Sequence, residues 1–130
     1  MTKPQSKTEK KIDNNIRLAL TDVCEQALGQ LQGFEWLTHQ ANYTNFPASL
    51  VVTCVFDTED NLQLAEASGE ADVLKKQIQA KLLKVGVKFK ALNRQVMFDS
   101  EEACEAQSGG NWAQRLESRK ERSVAKNRPH

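Results

Sequence analysis

From Lys10 to Gln32 the apolar residues fall at Ile12, Ile16, Ala19, Leu20, Val23, Ala27, Leu28 and Leu31, mostly three or four apart. That spacing predicts an amphipathic helix, ended by Gly29 and Gly33, with Gly33 as its C-terminal cap. Phe34 to Tyr43 alternates and is rich in aromatics, so it predicts a strand. Thr44-Asn45-Phe46-Pro47 is turn chemistry. Leu50-Val51-Val52-Thr53-Cys54-Val55-Phe56 is nearly continuous and β-branched, the pattern of a strand buried on both faces and central in its sheet. These two strands are expected to pair as an antiparallel hairpin.

Residues 57–69 form an acidic connection closing at Ser68-Gly69. A second helix is expected over Glu70–Lys84, with an apolar stripe of Ala71, Val73, Leu74, Ile78, Leu82 and Val85 and lysines on its other face. Beyond Gly86, Val87-Lys88-Phe89-Lys90-Ala91 alternates cleanly, and Gln95-Val96-Met97-Phe98 follows, predicting a second, short hairpin. Asp99, three residues before Glu102, suggests a capping box for a short helix to Gln107. Ser108-Gly109-Gly110 breaks that helix, and Asn111 can cap a last one, Trp112 to Arg122, docked on the sheet by Trp112 and Leu116.

The order is α-β-β-α-β-β-α-α. An α+β domain over residues 10–122 is expected, with one mostly antiparallel sheet and helices packed on one face. Residues 1–9 and the basic segment 123–130 are expected to be disordered tails. At 130 residues, 39% hydrophobic and a net charge of +1, the chain can hold a core without staples. No apolar run approaches the ~18 residues of a membrane span. The lysine-rich start leads into no apolar segment of the kind a secretory signal carries. Cys24, Cys54 and Cys104 are odd in number and widely spaced, which suits a reducing cytoplasm rather than a disulfide framework or a zinc site.

Charge changes the picture more than composition does. Residues 19–72 carry nine acids and no Lys or Arg, whereas residues 73–94 carry seven bases and no acid. Such segregation creates local fields that the net charge conceals. One outcome is that the two segments fold together and neutralise each other. Another is that Lys81, Lys84, Lys88, Lys90 and Arg94 gather on one edge of the second hairpin, where they could meet an anionic partner or phosphates. No exposed aromatic pair interleaves them, as stacking on single strands would want.

Catalytic signals are thin. His39 shares a strand face with Leu37 and Ala41, where a histidine is more often structural. A Cys54–His39–Asp57 arrangement would need a reactive thiolate, but Cys54 sits in the most apolar run of the chain. Asp57, Glu59 and Asp60 lack the ligand register of a calcium loop. Ser108-Gly109-Gly110-Asn111 could present amides to an anion, but a helix-to-helix turn is the simpler account. No glycine-rich phosphate loop occurs. Residues 100–122 have the lengths of a helix-turn-helix, with too few apolar positions to bury one. Catalytic residues, metal ligands and cofactors are therefore not expected.

Ile16 to Glu25, Gly33 to Asn42, and Asn111-Trp112-Ala113-Gln114-Arg115-Leu116 together resemble a small family of bacterial cytoplasmic proteins, some labelled Fis-type transcriptional regulators. The resemblance covers residues 10–120. Its motifs have no chemistry attached, so no functional residue is carried over from it. The expected function is non-enzymatic binding: an adaptor or regulatory module contacting a protein partner, with nucleic acid as the second reading and a small enzyme as the third.

Overall fold

The computed structural model describes residues 7–125, with side chains through residue 118. Helix α1 (Lys7–Gln30) buries Ile16, Ala19, Leu20, Val23 and Ala27 of the expected stripe, with Ile12 and Leu31 partly buried against them, whereas Leu28, also expected there, is 54% exposed. It starts within the segment expected to be a tail, and residues 1–6 and 126–130 lie outside the described residues. Gly33 closes the turn after α1 at φ +81°. Its carbonyl accepts from the Asp57 amide at 2.8 Å. A Cβ there would stand 2.5 Å from both Asn61 Nδ2 and Asp57 Oδ1, so backbone geometry and space both require glycine.

Strand β1 (Phe34–Gln40) pairs antiparallel with β2 (Val51–Phe56), as expected, with a bulge between Phe34 and Trp36. Every residue of β2 is buried, and β2 is the middle strand of three. The acidic connection is not a loop. It holds α2 (Glu59–Ser68), whose N-cap Thr58 accepts from the Asn61 amide and whose first turn carries Glu59 and Asp60. Acids there suit the helix dipole. Helix α3 (Glu70–Lys84) buries Ala71, Leu74, Ile78 and Leu82.

The second hairpin does not form. Residues 87–91 are extended but belong to no ladder; a four-residue helix α4 (Leu92–Gln95) leads into β3 (Val96–Ser100), which runs parallel to β2. The sheet is therefore mixed rather than mostly antiparallel. One side chain takes up part of the backbone of residues 87–91 instead. Gln95, 2% exposed, accepts from the amides of Lys90 and Ala91 at 2.9 and 2.7 Å. Its Nε2 donates to the carbonyls of Pro47 and Leu50 at 2.8 and 2.9 Å. These bonds satisfy backbone groups that a strand partner would otherwise take. Val87 and Phe89 still point into the core, so the alternation persists without a hairpin.

Helices α1, α2 and α3 contribute to one core with Leu50, Val52, Cys54 and Phe56 of the sheet face beneath them. The other face is not bare. Helix α5 (Glu101–Ser108) is capped by Ser100, not Asp99, and leads through Gly109 and Gly110 to α6 (Trp112–Ala125). Trp112 meets Trp36 edge-on at 4.8 Å. Both indole N–H groups donate to Glu101, at 2.5 and 3.4 Å. Arg115 grips the buried Asp99 carboxylate with two bonds, of 2.5 and 2.9 Å. Trp36 and Asp99 both flank Val55, so α6 docks on the face opposite α1. The expectation of helices on one face is corrected accordingly, and the continuous apolar run of β2 follows from cover on both sides.

Candidate functional site

The five basic residues expected on one hairpin edge separate. Lys81 is drawn to Asp22 of α1 and forms an ion pair across the α1–α3 contact. Arg94 lies half-buried on α4 and is engaged there. Lys84, at the end of α3, and Lys88 and Lys90, on the extended segment, are exposed. Among the described residues these three ammonium groups have no side-chain partner. Lys75 is sealed onto its surroundings by Asn93 at 3.1 Å, Asp72 at 3.9 Å and the Phe98 ring at 5.7 Å. Neutralisation between the acidic and basic segments is thus partial.

The outer face of α3 was not legible as a site. Val73 and Leu83 are 55% and 57% exposed, and they flank Lys76 and Ala80 at steps of three and four. Val73 belongs to this stripe and not to the buried one, which Ala71, Leu74, Ile78 and Leu82 complete without it. Val85, at the foot of α3, is also exposed. The signal was in the spacing: a second stripe opposite the first, mixed apolar and basic.

His39 sits in a polar knot. Its Nε2 lies 2.8 Å from Asp13 Oδ1, to which the Tyr43 hydroxyl donates at 2.7 Å. Arg17 holds the other oxygen at 3.1 Å. Burial would raise the Asp13 pKa, but these hydrogen bonds outweigh it and hold the carboxyl below its ordinary range. Burial and then the Asp13 carboxylate push the Tyr43 phenol well above its ordinary value, so it stays protonated and donates. The knot ties α1 to the end of β1 and the turn beyond it.

The Cys54–His39–Asp57 arrangement does not assemble. Cys54 has no exposure, and burial pushes its thiol far up. His39 pairs with Val52, and Asp57 lies five residues further along, roughly 16 Å at strand rise. Asp57 Oδ1 accepts instead from Asn61 Nδ2 at 2.8 Å and from the Thr58 amide at 2.6 Å, and these bonds, the Asn61 one foremost, hold its carboxyl low. Glu59 begins α2, with its amide donating to Glu102. Among the described residues no three His, Cys, Asp or Glu side chains converge on a metal position. Asn111 caps α6 through the Gln114 amide. Trp112 and Arg115 in the first turn are committed to the fold, so α6 does not present its start as a recognition helix would.

A cleft of about 300 Å³ lies between α1 and β1, with His39 on its wall. Arg17, Thr21 and Glu25 form its rim on the α1 side. Its residues can donate, accept and pack, which is binding chemistry. No helix among the described residues is long and apolar enough to cross a membrane. The chain matches no protein-family model, no curated protein and no solved structure. Function therefore rests on the surfaces themselves.

Proposed function

We propose that the protein is a cytoplasmic, non-enzymatic binding module, and that the outer face of α3 contacts a protein partner. One observation carries this reading. Val73 and Leu83 are more than half exposed beside Lys76 and Lys84, whose ammonium groups have no partner among the described residues. An apolar stripe set among cations fits an acidic protein segment that also offers apolar side chains: charge steers it and apolar contact holds it. Lys88 and Lys90 extend the positive field beyond the helix. Nucleic acid is the second reading, favoured by three unpaired lysines, Lys84, Lys88 and Lys90, within seven residues. The exposed Leu83 and Val85 on either side of Lys84 have no use on a phosphate backbone, so the protein partner is preferred.

The test is retention from a nuclease-treated extract of the source cells by the immobilised protein and by its Lys76→Glu/Lys84→Glu variant. A single protein held by the parent and lost by the variant supports the reading. In parallel, fluorescence anisotropy with single-stranded RNA and duplex DNA is titrated over salt. Tight binding that weakens steeply with salt, and fails in Lys84→Glu/Lys88→Glu/Lys90→Glu, moves the assignment to nucleic acid.

A further inference from the structure

Leu37, Thr38 and His39, three consecutive residues of β1, all line the cleft beside α1. Side chains of a strand alternate between faces, so three in a row can line one cleft only where it runs along the strand's edge. β1 is an edge strand, since the sheet order is β1-β2-β3. In an antiparallel pair, every second residue turns its N–H and C=O away from its neighbour. Among the described residues, no backbone hydrogen bond joins Trp36–Gln40 to anything except β2. The far wall is one stripe of α1, with Leu20 and Cys24 on the floor and Arg17, Thr21 and Glu25 on the rim.

We propose that this cleft takes an extended peptide segment of a partner protein, added as a fourth strand between β1 and α1. The proposal is independent of the α3 face. Its length follows from the walls. Arg17 and Glu25 are eight helical residues apart, about 12 Å, which spans three to four residues of extended chain. The regular part of the edge is equally short, because the bulge between Phe34 and Trp36 interrupts the ladder at its start. A bulged, short edge resists open-ended sheet pairing and still admits a brief segment. The chemistry of the occupant follows from the lining. α1 runs back along β1, as the contact of Asp13 with His39 shows, so Arg17 stands at the His39 end. Arg17 has a 65% exposed side chain and donors left over from Asp13, and it favours an acidic group there. Glu25 favours a basic or N–H-bearing group nearer the other end. Leu20, Cys24 and Leu37 take an apolar side chain between them. The preferred sequence is thus acidic at one end, apolar in the middle and basic at the other.

The test pans a phage-displayed library of linear twelve-residue peptides against the full chain, then synthesises the enriched sequences. Enriched peptides are expected to share the acidic–apolar–basic pattern and to shift the amide resonances of Leu37–Gln40. They should also slow hydrogen exchange at alternate amides of that stretch. N-methylation of alternate peptide amides should abolish binding. Thr21→Trp fills the rim from an exposed position whose hydroxyl bonds only the Arg17 carbonyl. It should cut affinity about tenfold or more while leaving the melting curve unchanged. The proposal is overturned if no sequence is enriched, if enriched peptides shift amides elsewhere, or if Thr21→Trp binds as the parent does. It is also overturned if the protein dimerises with Leu37–Gln40 protected, because the edge is then taken by a second copy.

Discussion

Replacing Gln95 by Leu tests how much its buried side chain contributes by tying residues 90 and 91 to the turn before β2. Leucine nearly preserves the volume and removes four hydrogen bonds at once. Leu50 has no exposure, so its carbonyl is left unsatisfied out of reach of water, at a cost of about 1–3 kcal/mol. The Lys90 and Ala91 amides and the Pro47 carbonyl are only partly buried, and each loses about 1 kcal/mol. Burying the leucine side chain returns about 1.5–3 kcal/mol. The net expectation is a destabilisation of about 3 kcal/mol, read from urea unfolding followed by far-ultraviolet circular dichroism with linear extrapolation. Gln95→Glu keeps the acceptors but sets a carboxylate against two carbonyl oxygens, so it should cost more at neutral pH than under mildly acidic conditions. A Gln95→Leu protein within about 0.5 kcal/mol of the parent would refute the reasoning, because the orphaned groups would then cost nothing.

The remaining predictions concern particular residues. Gly33→Ala forces a side chain into a positive-φ position and against Asn61 and Asp57, and should cost about 2 kcal/mol or more by chemical denaturation. Arg115→Ala removes the guanidinium that pairs with the buried Asp99 carboxylate, and should cost about 3 kcal/mol. Because Trp112 sits one turn before Arg115, tryptophan fluorescence should report α6 loosening before global unfolding. Asp13 and Asp57 both have folded pKa values held below the ordinary aspartate value of about 4. The unfolded chain binds more protons in that window, so the stability they contribute is full above it and is lost as pH falls through the folded values. Urea midpoints should drop as pH falls below about 4, and Asp57→Asn should flatten part of that drop.

The patterns that were legible are those fixed by burial along one element. The stripe of α1, the alternation of β1 and the doubly apolar β2 each report a face or faces in contact with the core, whatever their neighbours are. What was misread depends on groups distant in sequence. Val87-Lys88-Phe89-Lys90 alternates because two side chains pack inward, and nothing local says whether a ladder or a glutamine side chain takes the backbone amides. The α2 helix was missed although Thr58 followed by Glu59 and Asp60 is helix-start chemistry, because its buried contribution is only Leu62 and Ala65. Asp99 was misassigned as a cap by one position, since its carboxylate faces Arg115, sixteen residues on. The basic residues 81–94 were singled out as a group from their run in the sequence alone. Their grouping on a hairpin edge failed with the hairpin, and Lys81 was lost to Asp22, an acid of the segment 19–72 that α1 carries to the α3 contact.

Helix α1 explains why the two proposed surfaces should act separately. Successive helical residues are turned by about 100°, so Asp22, which holds Lys81 of α3, faces a different flank from Thr21 and Arg17 on the cleft rim, with Glu25 lying between the two flanks. The buried stripe between these flanks is packed into the common core. A peptide beside β1 and a partner on the outer face of α3 then share no contact residue, and sites without shared partners add within about 0.5 kcal/mol. Thr21→Trp should leave binding at α3 unchanged, and Lys76→Glu/Lys84→Glu should leave peptide binding at β1 unchanged, both measured by titration calorimetry. A cross-effect larger than about threefold in either direction would mean that α1 transmits strain between its flanks. The chain would then behave as a coupled switch rather than as an adaptor with two independent contacts.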